Sequence, residues 1–225
     1  MLAGRRVKLA ALAAGAMTML AGCGLHPGAA AVVGSETISH DQVDDVARAV
    51  CSANLATAKA SNQPPPTLPT RGAREVAVQI LLETELSQQF ADHEGVEANP
   101  QQVSQAVAQN EAGLEMLPED QRQDFRATLR EYAEGQLMLI QVGQDSLGGN
   151  ADENEAIAEG IRLRNEYVAD LDVEVDPRYG RFEEGTFKRG GTSLSVPASA
   201  GARAGDKAQP EDAFVADLPA SQQCR

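Results

Sequence analysis

Tryptophan is missing from this chain of 225 residues, and only three tyrosines and five phenylalanines make up its aromatic content. So few rings argue against a carbohydrate platform or a base-stacking site, both of which are built on exposed aromatic faces. Positive charge is also scarce. Nineteen Lys and Arg face 33 Asp and Glu, a formal net charge of −14. A field of that sign repels phosphates and anionic headgroups, which excludes nucleic acid as a partner. The three histidines, His26, His40 and His93, are too far apart for a metal-ligand spacing, so no metal is expected. Ser39-His40-Asp41 contains the letters of a catalytic triad, but adjacent residues project apart where a triad must converge. The Gly190-Gly191 pair has no strand before it or helix after it, as a phosphate loop would need. No cofactor and no enzymatic activity are expected.

Long hydrophobic runs are absent too. The longest, Leu9 to Leu20, follows Arg5, Arg6 and Lys8 and is too short to span a bilayer comfortably. It has the proportions of a signal peptide. It ends in Leu20-Ala21-Gly22-Cys23, which resembles the lipobox of bacterial lipoproteins. That resemblance implies a signal peptide over 1–22, lipidation of Cys23, and an address on the extracytoplasmic face of the cell membrane. Diacylation gives durable anchoring where one chain gives only marginal binding. Removing 1–22, which carry three bases and no acid, would leave 16 bases against 33 acids, a net of −17. Membrane contact is then expected through the lipid alone.

With Cys23 acylated, Cys51 and Cys224 remain, in a compartment where disulfides form. A Cys51–Cys224 bond is expected. "EDAFVADLPASQQC" regains Phe214, Val215 and Leu218 just before Cys224, as a segment returning to dock would. A reduced, dangling Cys224 and an intermolecular bond are the alternatives.

Most of the chain reads as helix. Ser39 and Gln42 form a capping box, and Val43, Val46, Ala47, Val50 and Leu55 share one face of the helix that starts at His40. Four prolines within 61–70 break it and form a spacer. A long helix from Arg71 to near His93 carries an unusually wide apolar stripe. Asn99-Pro100 starts a helix reaching Met116, another covers 118–147, and a last one lies over about 152–170. Residues 30–39, "AAVVGSETIS", read as an opening strand, and Val173 and Val175 alternate as a closing one. A lone strand has no partner for its backbone, so residues 32–38 and 172–176 are expected side by side. From Lys188 the chain is rich in Gly, Ala, Ser and Pro, with little to bury. The fold class is thus mostly α (α+β), with paired terminal strands and a disordered C-terminal arm. The expected organisation is signal peptide 1–22, tether 23–30, domain 31–187 and tail 188–225.

"AVVGSETISHDQVDDV" resembles the start of the SurA-type chaperone domain, also found in PrsA-like lipoprotein foldases, and "VDPRYGRFE" resembles the strand that closes it. Gly34-Ser35 stands where that family has Asn-Gly. The resemblance covers residues 31 to 187. It implies binding of unfolded exported proteins, often beside a parvulin-type prolyl isomerase. Only a helix lies between Ile140 and Asp172, so the isomerase is expected to be missing. The expectation is a membrane-anchored holdase for exported polypeptides. Its clients would lie in a groove between helices 71–93 and 118–147, on Val76, Ile80, Leu82, Leu86, Phe90, Phe125, Leu129 and Leu137. The alternative is a non-catalytic structural subunit of a cell-envelope complex, its groove filled by one fixed partner.

Overall fold

The computed structural model describes residues 28–64, 68–189, 197–205, 207 and 210–224. Cys23, the expected signal peptide over 1–22 and part of the expected tether lie outside them. The fold is mostly α with small antiparallel sheets.

The chain enters through a hairpin, β1 (Ala29–Val33) and β2 (Glu36–Ser39). The single opening strand expected over 30–39 is therefore two, and the tether ends two residues early. Gly34, at φ +59°, supplies the positive φ that a two-residue hairpin turn requires. β1 also pairs with β3 (Val173–Val175), in the register Ala31↔Val175 and Val33↔Val173. The bonds Asp176 N–H to Ala30 O (2.8 Å) and Gly34 N–H to Asp172 O (2.9 Å) extend that ladder at both ends. The expected pairing of the two ends is present, in a three-stranded sheet ordered β2-β1-β3 rather than a two-stranded one. A second hairpin, β4 (Gly180–Glu183) and β5 (Thr186–Arg189), follows at once and carries the domain past residue 187.

Ser39 ends β2 and caps α1 (His40–Ala60), with both bonds of the capping box in place. α2 (Thr70–Glu94) ends at Gly95, in the left-handed conformation common at helix C-termini. The helix expected over 100–116 is two, α3 (Pro100–Gln109) and α4 (Glu111–Glu115). Asn110 divides them by turning its side-chain amide back onto Ala106 O (2.9 Å), the local competition that makes Asn a poor helix interior. α5 (Glu119–Ser146) and α6 (Glu153–Val168) complete the bundle.

The main core sets Ala31, Val33 and Ile38 of the hairpin against Val43 and Ala47 of α1 and against Ala77, Val78, Leu82 and Leu86 of α2. Each valine, leucine or isoleucine among them contributes about 1.5–3 kcal/mol when fully buried. A second cluster joins Phe90, Leu139 and Val142. A third gathers Ala49, Val107, Leu114 and Leu117 where α3 and α4 meet α1. α5 and α6 cross at two glycines. A Cβ on Gly143 would lie 1.9 Å from Ala156 O, and one on Gly160 2.1 Å from Leu139 O.

The described part of the tail corrects the expected disordered arm. α7 (Ala200–Gly205), α8 (Asp212–Ala216) and a single 3₁₀ turn (Ala220–Gln222) occupy it. Val215 is buried, Cys224 donates its N–H to Leu68 O (2.9 Å), and Gln223 bridges to Pro69. The Cys51–Cys224 disulfide is formed, with Cα atoms 5.1 Å apart. A sparse segment orders here because a few apolar residues, two backbone pairings and one covalent bond act together. The described end of the 61–70 spacer, Leu68 and Pro69, is the strip to which the tail pairs.

Candidate functional site

The groove expected between α2 and α5 is closed. Leu82, Leu86 and Phe90 have 0%, 1% and 2% of their surface exposed. α5 lies directly on α2 at Gly135, where an added Cβ would sit 3.0 Å from Ser87 Cβ. Arg164 of α6 closes the seam from the other side, donating from Nη1 to Ser87 Oγ at 3.3 Å. Phe90 packs beside Tyr167 of α6 with ring centroids 5.7 Å apart. The wide stripe on α2 is therefore covered by the chain's own α1, α5, α6 and hairpin. Of the other residues expected there, Ile80 and Phe125 pack against the main core and Leu129 against the third cluster, while Val76 and Leu137 are half-buried.

An opening lies one helix over. α5 leans on α2 and diverges from α1, leaving a cleft of about 260 Å³. Val46, Ala49, Leu81 and Phe125 give it an apolar floor. Its walls carry Asp45, Asp120, Asp124 and Glu131, with Arg48 the one cation among the described lining residues. Arg48 is already engaged by Asp45. Partial burial, then the neighbouring carboxylates Glu134 and Glu85, raise the pKa of Glu131. Gln121 also lines the cleft, and its side-chain carbonyl oxygen is buried with no hydrogen-bond partner among the described residues. An unpaired buried acceptor costs about 1–3 kcal/mol. This site is apolar at its base and electronegative at its rim.

The acids at 120, 124 and 131 on α5, and Asp45 on α1, are spaced as ordinary solvated charge. Only the tertiary arrangement faces them across a cleft. Phe125 was the one lining residue nominated from sequence, and its place beside the acids at 120 and 124 was the available signal.

A second cluster fastens the sheet to α1. Arg178 carries only donors, so its Nη2 donates to His40 Nε2 (2.8 Å), and His40 Nδ1–H is left to donate to Tyr179 Oη (2.9 Å). Arg178 also grips Asp176 through Nε (2.9 Å) and Nη2 (2.6 Å). Burial works to raise the pKa of Asp176, but the bonds and charge of Arg178, with His40 behind them, hold it below its ordinary value. Tyr179 is buried, and desolvation raises its phenol. Every member of the cluster is spent on another. It holds the 176–179 turn against the start of α1 and leaves no group free for chemistry.

Among the described residues no three His, Cys, Asp or Glu converge as metal ligands, and no helix is long and apolar enough to cross a membrane. No family model, no curated protein and no solved structure matches the chain.

Proposed function

We propose that the protein is a membrane-anchored extracytoplasmic lipoprotein that holds segments of other exported polypeptides, a SurA-like holdase without isomerase activity. The observation that supports this reading most is the α1–α5 cleft. It offers an apolar floor on a body whose other large apolar side chains are mostly withdrawn from solvent, and its polar rim keeps that patch wet at the edges. A cleft of about 260 Å³ takes one or two side chains at a time, which suits an extended segment and not a folded surface. The acidic exterior would keep a loaded complex soluble. α5 passes to α6 within residues 147–152, too short a connection for an inserted isomerase domain.

The small size of the cleft also favours a second reading, a non-catalytic subunit of an envelope complex that takes one fixed partner. One experiment separates the two. The protein is titrated into several unrelated unfolding substrates while light scattering is followed. Suppression of aggregation across the set is the result expected of a holdase. No suppression, with one stoichiometric partner recovered from envelope extracts, would replace the holdase with the subunit.

A further inference from the structure

We infer that the α1–α5 cleft selects polypeptide segments in which an apolar side chain is flanked by lysine or arginine. The inference rests on the holdase reading above and names the class of segment that the site takes.

Two features of the cleft point to such an occupant. Its floor is apolar, formed by Val46, Ala49, Leu81 and Phe125, so it recovers free energy only from an apolar side chain. Its walls are unbalanced in charge. Asp45 is neutralised by Arg48, while Asp120 and Asp124 stand exposed on α5 and Glu131 sits among like charges. A cation placed between them relieves that repulsion, and an anion deepens it. An acid-flanked segment of the same apolar content would meet the same floor but face the wrong rim. Selection therefore acts through the flanks.

The cleft is aimed at one class of export client. Regions that pair apolar residues with Lys or Arg would be captured, and segments rich in Asp or Glu left alone. An acidic protein with an acid-rimmed cleft also attracts such segments at long range, and that part of the effect fades as salt shortens the Debye length.

The test uses the chain purified from exporting cells with whatever processing it carries. Fluorescein-labelled peptides share one apolar core and differ only in flanks of Lys/Arg, Gln or Glu. Fluorescence anisotropy gives each affinity at low and high salt. The basic-flanked peptide is expected to bind about tenfold tighter than the acid-flanked one at low salt, with the gap closing as salt rises. Asp124→Lys and Asp120→Lys, at exposed positions, should each erase most of that preference. Arg48→Ala frees Asp45 and should improve binding of the basic peptide about twofold. Thermal melts confirm that each variant is folded, and the salt titration of the unaltered protein tests the inference without any variant. Equal affinity for all flanks together with broad suppression of aggregation overturns the flank selectivity and leaves the holdase standing. Suppression without binding of any peptide also overturns it, by removing the cleft as the site. Neither binding nor suppression removes both.

Discussion

Adding one methyl group at the α5–α6 crossing should be enough to loosen the bundle. In Gly143→Ala the new Cβ meets Ala156 O at 1.9 Å, Ala156 C at 2.7 Å and Gly160 N at 2.9 Å. An unstrained carbon–oxygen contact is about 3.3 Å or more, so the helices must part by over about 1 Å. The obstructing atoms belong to backbone, and no side-chain rotation clears them. Parting the helices also thins the dispersion contacts of Leu139, Val142 and Ala156, which are buried at or beside the crossing. Overpacking of this kind costs about 1–3 kcal/mol and sometimes more. Against it stands the helix-propensity gain of alanine over glycine, about 0.8–1 kcal/mol. Because the clash is with backbone, the upper end of that range applies, and about 3 less about 0.9 leaves a net loss of about 2 kcal/mol, or a fall in Tm of about 4–8 °C for a chain of this size. Gly160→Ala, with Leu139 O at 2.1 Å, should behave the same way. Gly113→Ala is the control, since a Cβ there meets nothing within 4 Å and should gain a few tenths of a kcal/mol to about 1 kcal/mol. Urea denaturation of all three at constant m-value gives the comparison. If Gly143→Ala and Gly160→Ala match the parent or exceed it while Gly113→Ala gains, the close crossing is wrong and the argument from it fails.

The Cys51–Cys224 bond closes a loop of 173 positions. Chain-entropy arithmetic gives about 5 kcal/mol for such a loop and measured bonds nearer 2–4, so Cys51→Ser with Cys224→Ser should lower the urea midpoint by a corresponding amount. Intact mass of the non-reduced monomer should show no alkylatable thiol at either position. Glu75 is buried beside Arg71 (3.2 Å), and desolvation raises its pKa against the pull of Arg71 and Arg189. Its contribution is therefore fully present below the unfolded carboxyl pKa of about 4.3 and is lost as pH rises through the folded value. Glu75→Gln should raise Tm at neutral pH, with the gain shrinking as pH falls toward 4; a gain that grows on acidification would contradict this.

Helix positions were legible in the sequence because periodicity, caps and breakers agree, as at Ser39–Gln42 and Asn99-Pro100. Coverage of each helix face was not. The stripe on α2 states that Leu82, Leu86 and Phe90 leave water, yet the same stripe results whether a client or the chain's own α5 and α6 remove it. The crossing that decides the matter depends on Gly135, Gly143 and Gly160, which count in sequence only as poor helix formers. The β4–β5 hairpin was missed because its turn is Glu184-Gly185, with φ +54° and +73°, where Asn-Gly or Asp-Gly is the usual signal. The disulfide was legible by elimination, while the ordering of the tail around it rested on too few apolar residues to be read as structure.

The pairing of β1 with β3 also governs the order of events in time. Val33 lies opposite Val173, which is 140 positions later (173 − 33). A chain emerging N-terminus first delivers β1 and its hairpin partner β2 early, and such a hairpin forms within microseconds. The other edge of β1 then waits for six helices to emerge before its mate arrives, and Cys51 waits longer still for Cys224. Throughout that interval an open strand edge and the broad apolar face of α2 are exposed together, the combination that makes partly folded chains aggregate. If the proposed holdase reading holds, a chain of this topology itself passes through the condition that it relieves in others, and the first copies to fold would protect those still arriving.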